Sequence, residues 1–126
     1  MLHIDIMSRT PVYEQISTQL EKLISAGILK EGEQLPSVRS LSIELSVNPN
    51  TIQKAYGELD VRGIIGSVPG KGCFVMPGAQ EKLRIIAQNR LSELKALAFE
   101  LMAAGVTKDE IIKSVNSITL EKEDRK

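Results

Sequence analysis

Apolar residues recur at helical spacing in successive stretches of this chain, and turn residues separate the stretches. Val12, Ile16, Leu20, Leu23 and Ile24 form the first stripe. Thr10-Pro11 supplies a cap followed by proline at the first helical position, and Gly27 stands where a left-handed terminal residue is wanted, so the pattern predicts a helix over about 11–26. Ahead of it, Leu2 to Met7 alternates enough for a short strand or extended arm. After a polar loop containing Gly32, Ser37 can cap a second helix whose stripe is Val38, Leu41 and Leu45. Ser46-Val47-Asn48 leaves room only for a tight turn. Asn48-Pro49 then repeats the cap-and-proline signal before Ile52, Ala55, Tyr56 and Leu59, a third helix ending near Arg62 at Gly63. Two β-prone runs, 64–68 and 73–76, flank Pro69-Gly70-Lys71-Gly72 and read as a hairpin. Two helices in a tight turn followed by a hairpin make the pattern of a winged helix-turn-helix.

Beyond the hairpin, Ala79 to Ala104 contains neither glycine nor proline, and Ala87, Leu91, Leu94, Ala98 and Leu101 recur at alternating spacings of four and three. That is the seam of helices packing along one another. Gly105 ends this helix, and Thr107 to Glu110 form a capping box opening a last helix through Ile111, Ile112, Val115 and Ile118. The charged tail Glu121 to Lys126 is expected to fray. The expected fold is mainly α with a small β-hairpin: a winged helix-turn-helix over residues 1–76 and a two-helix dimerisation tail over 77–126. The seam residues either fold back on the winged domain or pair with a second copy, and a thin, aromatic-poor appendage favours the second copy.

Composition narrows the function. With 126 residues, 42% apolar and 3% aromatic, the chain holds one small domain and an appendage, with a core of Leu, Ile, Val and Ala. The single Cys73 forms no internal disulfide and suits a reducing, cytoplasmic setting. No membrane span is expected, and MLHIDIMSRT lacks the basic-then-apolar run of a secretory signal. One His, one Cys and no metal-ligand spacing argue against a metal site or cofactor, and PGKG lacks the length and downstream Ser/Thr of a phosphate loop, so an enzyme is not expected. Charge is neutral: 16 basic residues balance 16 acidic ones, and residues 1–76 carry seven Lys or Arg against eight Asp or Glu. Because phosphate neutralisation supplies most nonspecific affinity for DNA, this balance keeps a protein-interaction module open as the alternative function.

The third helix has two faces. Ile52, Ala55, Tyr56 and Leu59 would pack inward, while Asn50, Gln53, Lys54 and Gly57 share the opposite side. Asn and Gln can each pair with an adenine edge, so Asn50 and Gln53 are the candidates for base contact. The start of a recognition helix, here at Asn48-Pro49, faces the bases, and free backbone N–H groups and the helix dipole at such an end also favour phosphate. Arg39 suits a phosphate clamp or a guanine contact, Ser37 and Thr51 can donate to phosphate while capping, and Gly70 and Lys71 at the wing tip can reach the minor groove or its backbone. Plainer readings stand beside these. Arg39 could pair with Glu44 or Glu58, and Gln53 and Lys54 could form a solvated face. Tyr13 and Tyr56 read as packing residues. Gly57 fits either drift or a close approach of DNA.

The ordered set Pro11-Val12-Tyr13-Glu14-Gln15-Ile16, Gly27-Ile28-Leu29, Gly32, Leu35-Pro36-Ser37-Val38-Arg39-Ser40-Leu41, Val47-Asn48-Pro49-Asn50-Thr51-Ile52, Ala55-Tyr56, Leu59 and Gly70-Lys71-Gly72-Cys73-Phe74-Val75 resembles the GntR family of bacterial transcription regulators. The residues beyond resemble the short two-helix tail of its YtrA-type branch. The resemblance implies a homodimeric repressor on double-stranded operator DNA, with contacts from the starts of the second and third helices and from the wing tip. It places a DNA-contacting arginine at Arg39 and implies control of an ABC transporter operon. Pro49 and Gln53 occupy positions where the family often has arginine, so recognition should depend less on arginine. The family usually carries an effector domain; here the tail is too small to enclose a cavity of some 300 Å³, and a small-molecule effector would have to bind between protomers or between tail and winged domain.

Overall fold

The computed structural model describes residues 2–119, and the expected fraying of Glu121 to Lys126 lies outside them. Six helices and one hairpin follow in order: α1 Val12–Ser25, α2 Val38–Leu45, α3 Pro49–Val61, β1 Ile65–Val68, β2 Gly72–Val75, α4 Ala79–Gln88, α5 Leu91–Ala103 and α6 Lys108–Asn116. None of the described helices is long and apolar enough to cross a membrane. The chain divides into two compact units, Met1–Arg84 and Ile85–Lys126.

In the first unit, α3 packs against α1 and α2 and touches β1. Its stripe residues Ile52, Ala55, Tyr56 and Leu59 meet Ile16, Leu20 and Ile24 of α1 and Leu41 of α2 in one buried core. Burying each Leu or Ile side chain of this set is worth about 1.5–3 kcal/mol, so the stripes fix which way α3 faces. Ala79 and Leu83 of α4 join this core, which therefore extends past the boundary at Met76 expected from the sequence.

Helix ends follow the chemistry of their caps. Ser37 accepts a hydrogen bond from Ser40 N–H at 3.0 Å, and Asn48 accepts one from Asn50 N–H at 2.8 Å. Gly27 and Gly63, at φ +75° and +76°, close α1 and α3 with left-handed turns. One expectation is corrected: Pro11, at ψ 147°, is itself the cap of α1, and Thr10 lies outside. With its ring fixing φ and no N–H to satisfy, proline serves there without a side-chain acceptor.

β1 and β2 pair antiparallel from Ile65↔Val75 to Val68↔Gly72. The polar loop before α2 adds a third stretch: Gln34 bridges Phe74, Leu35 N–H donates to Cys73 C=O at 2.8 Å, and Val75 N–H donates to Glu33 C=O at 2.9 Å. The wing is thus tied by backbone to the entry of α2.

The long helix expected over Ala79 to Ala104 is interrupted at Asn89-Arg90, and the second unit holds α5 and α6 as a two-helix tail. Ser92 Oγ donates to Asn89 C=O at 3.3 Å, and Arg90 pairs with Glu93 at 3.2 Å, both holding the turn. Thr107 and Glu110 form the predicted capping box on α6. No described residue of this unit is buried, and Leu91, Leu94 and Phe99 are 54%, 46% and 74% exposed.

Candidate nucleic-acid interface

The start of α2, the outer face of α3 and the wing surround one space. A cleft of about 390 Å³ is lined by Val38 at the start of α2, Gln53, Gly57 and Asp60 on α3, and Ile65 and Ser67 on the hairpin. Asn50, Gln53 and Lys54 are all exposed on α3, as are Gly70 and Lys71 at the wing tip. Ser37 and Arg39 are exposed at the start of α2. Arg39 forms no ion pair among the described residues, so the pairing with Glu44 or Glu58 that the sequence allows is not made.

The two helix starts differ in what they offer an anion. At α3 the expectation of free N–H groups is corrected. Pro49 has none, Asn50 N–H is taken by the Asn48 side chain, and Thr51 N–H donates to Asn48 C=O at 2.9 Å. What that end can still offer an anion is side-chain donors, the Thr51 hydroxyl and the Asn48 amide NH₂. At α2, Ser37 occupies Ser40 N–H, while the N–H groups of Val38 and Arg39 have no acceptor among the described residues. Their partial positive charge adds to that of the Arg39 guanidinium, and the Ser37 hydroxyl hydrogen stays available as a donor.

Two contacts that the sequence does not reveal hold this arrangement, and a third lies beside it. Tyr56 donates its hydroxyl to Pro36 C=O at 2.7 Å, fixing the outer helix against the residue that precedes the Ser37 cap. Burial above all, then the Cys73 thiol and the Glu44 carboxylate, push the Tyr56 phenol far above its ordinary range, so it remains a donor. Gln34 donates its side-chain amide to Lys71 C=O at 2.7 Å, fixing the wing tip from the α2 side. Gly72 makes room for this, since its φ is +115° and a Cβ there would lie 2.8 Å from Gln34 Nε2. Lys54 Nζ lies 4.0 Å from the centre of the Tyr13 ring. Such a contact is worth about 0.5–1 kcal/mol at an exposed site, weak enough to be exchanged for a phosphate.

The predicted seam residues divide between two helices, Ala87 on α4 and Leu91, Leu94, Ala98 and Leu101 on α5. Ala98 is half-buried and the other four are exposed. Leu97, Phe99 and Met102, outside the predicted seam, are exposed as well, so the apolar surface of α5 is broader than a single stripe. Among the described residues, no group of three His, Cys, Asp or Glu side chains could hold a metal ion.

The family described as bacterial regulatory proteins, gntR family, matches residues 12–75, the stretch from α1 to the end of the wing. The chain is 38% identical to the HTH-type transcriptional repressor YtrA of Bacillus subtilis strain 168, over 96% of this chain and 94% of that protein. A transcriptional regulator from Oenococcus oeni has a similar structure, with a TM-score of 0.74 at 35% identity, covering 92% of this chain and 97% of the other. The structure of AraR(DBD) in complex with operator ORE1 matches at a TM-score of 0.50 and 27% identity, over 58% of this chain and 99% of that one.

Proposed function

The chain belongs to the gntR family of bacterial regulatory proteins, DNA-binding helix-turn-helix regulators of transcription, and from that premise we propose that it is a homodimeric repressor of a two-fold operator. The carrying observation is the outer face of α3, where Asn50 and Gln53 stand exposed one turn apart while the opposite stripe is buried. Asn50 and Gln53 read bases in the major groove. Ser37, Arg39 and Thr51 take phosphates on either side, with the Asn48-Pro49 cap setting the approach of the helix. Lys54 leaves Tyr13 for the backbone, and Gly70 and Lys71 contact the neighbouring minor groove.

The homodimer is supported by the second unit, where a largely apolar helix buries no side chain. A helix apolar on most of its faces needs cover; a second copy supplies it along Ala87, Leu91, Leu94, Ala98 and Leu101, with Phe99 added by its exposure. Two half-sites follow, spaced by a helical turn or a multiple of one. Repression rests on the likeness to YtrA, control of an ABC transporter operon rests on the resemblance to that branch alone, and a cytoplasmic setting is supported by the single Cys73, which suits a reducing compartment.

The test is selection of duplexes from a random-sequence pool, followed by binding measured across salt concentrations. A two-fold consensus and a steep fall of affinity with salt are expected. Absence of any selected sequence, with little dependence on salt, would instead identify the winged unit as a protein-interaction module, the reading its near-neutral charge keeps open.

A further inference from the structure

Gly57 stands apart from the other glycines of this chain. Seven of the nine have φ between +75° and +115°, a backbone region that favours glycine. Gly66 faces the sulfur of Met76, which a Cβ would approach to 2.6 Å. Gly57 has neither reason: its φ is not positive and a Cβ would meet nothing within 4 Å. It sits inside α3, where glycine is less favourable than any residue except proline. The fold gains nothing from it.

What the missing side chain does is open the outside of α3. Gly57 shares the exposed face of Asn50 and Gln53, two turns beyond Asn50. It lines the cleft of about 390 Å³ described above, and also a second hollow of about 530 Å³ with Glu58, Val61 and Arg62. Among the described residues, Asp60 is the only charged side chain lining the first cleft, and Val38, Val61 and Ile65 are apolar. Such walls suit the sugar and base edges of a duplex, while Asp60 disfavours phosphate at its own end. Phosphate is better placed toward the start of α2, where Arg39 and two free N–H groups lie.

We propose that Gly57 is a steric gap in the recognition helix that lets the edge of the operator duplex come into van der Waals contact with the α3 backbone, making residue 57 a determinant of specific binding. The inference rests on the reading of α3 as the DNA-contacting helix. A side chain at 57 holds the duplex away and strains the contacts of Asn50 and Gln53 on the same face.

The probe is the duplex that the wild-type protein selects from a random-sequence pool. Gly57→Ala is expected to raise the melting temperature by about 4 °C, because alanine favours the helix, and to weaken affinity for that duplex about tenfold. Gly57→Leu should weaken it about a hundredfold while staying folded. A Gly57→Ala protein that melts higher and binds as the wild type does overturns the gap, as does one that melts lower, which would reveal a structural need for glycine. If the wild type selects no duplex, the reading of α3 fails first, and the two failures are thereby distinguished.

Discussion

At the scale of single residues, Arg39 and Tyr56 do opposite kinds of work at the same helix start. Arg39 is exposed and makes no ion pair among the described residues, so its removal leaves no buried charge and breaks no fold contact. Arg39→Ala should therefore keep the wild-type melting temperature and lose about 1–3 kcal/mol of operator binding, roughly tenfold or more, in a titration with the selected duplex. Normal binding by the folded variant would remove Arg39 from the interface. Tyr56 is 4% exposed and bonded to Pro36 C=O. Tyr56→Phe deletes that bond and leaves a carbonyl without its partner, at a cost of about 1 kcal/mol in denaturant unfolding. The sign of its pH dependence follows from the direction of the shift. The folded phenol titrates above the ordinary value of 10.0, so its contribution is whole below that value and declines only as pH rises through the folded one. The stability difference between wild type and Tyr56→Phe should accordingly be flat from about pH 6 to 9. A difference that shrinks within that window would show that the hydroxyl is not held as described.

At the scale of elements, the wing is set from outside itself. Gln34 reaches Lys71 C=O from the segment entering α2, and Gly72 is bare where that side chain passes. If the wing tip must be held for Lys71 to reach the DNA backbone, Gln34→Ala and Lys71→Ala should each weaken binding, and the double variant should be little worse than Lys71→Ala alone. Losses that add fully in that double-mutant cycle would separate Gln34 from the wing contact. Gln34 was not legible in the sequence, because a bond between residues 37 positions apart leaves no periodic or turn signal. The caps were legible: Ser37, Asn48 and the Thr107 capping box act through residues two or three positions away, and each forms as read. So was the inward stripe of α3. The interruption at Asn89-Arg90 was not, since neither residue is a breaker and the apolar spacing runs on through it; the turn is held by the polar side chains of Ser92, Arg90 and Glu93. Which polar residues of α3 are exposed could be read from which of its faces is apolar. The consumption of the α3 N–H groups by Asn48 and Pro49 could have been read from the same cap, because a capped, proline-led helix has little left to offer an anion.

At the scale of the whole molecule, the near-zero charge and the unburied second unit bear on the same question. Residues 1–76 lack a basic excess, so one copy draws little general attraction from phosphates and depends on a few placed groups. Joining two copies makes the second half-site contact effectively intramolecular, which can raise overall affinity by about 10²–10⁴ without a new contact. The tail is therefore as much a part of DNA recognition as α3, provided it holds two copies together. Leu94→Glu with Phe99→Glu tests this, because both side chains are solvent-exposed in the single chain and a carboxylate there costs the isolated fold little. In an interface, the same carboxylates would be desolvated without partners. The double variant should run as a monomer by sedimentation, keep the melting transition of the winged unit, and bind a two-half-site duplex about a hundredfold more weakly. Its affinity for a single half-site should match that of the wild type, since α2, α3 and the wing are untouched. A variant that remains dimeric would move the interface away from α5. One that is monomeric yet binds the full operator normally would show that a single winged unit suffices, and that the missing basic charge is supplied by contacts other than a second copy.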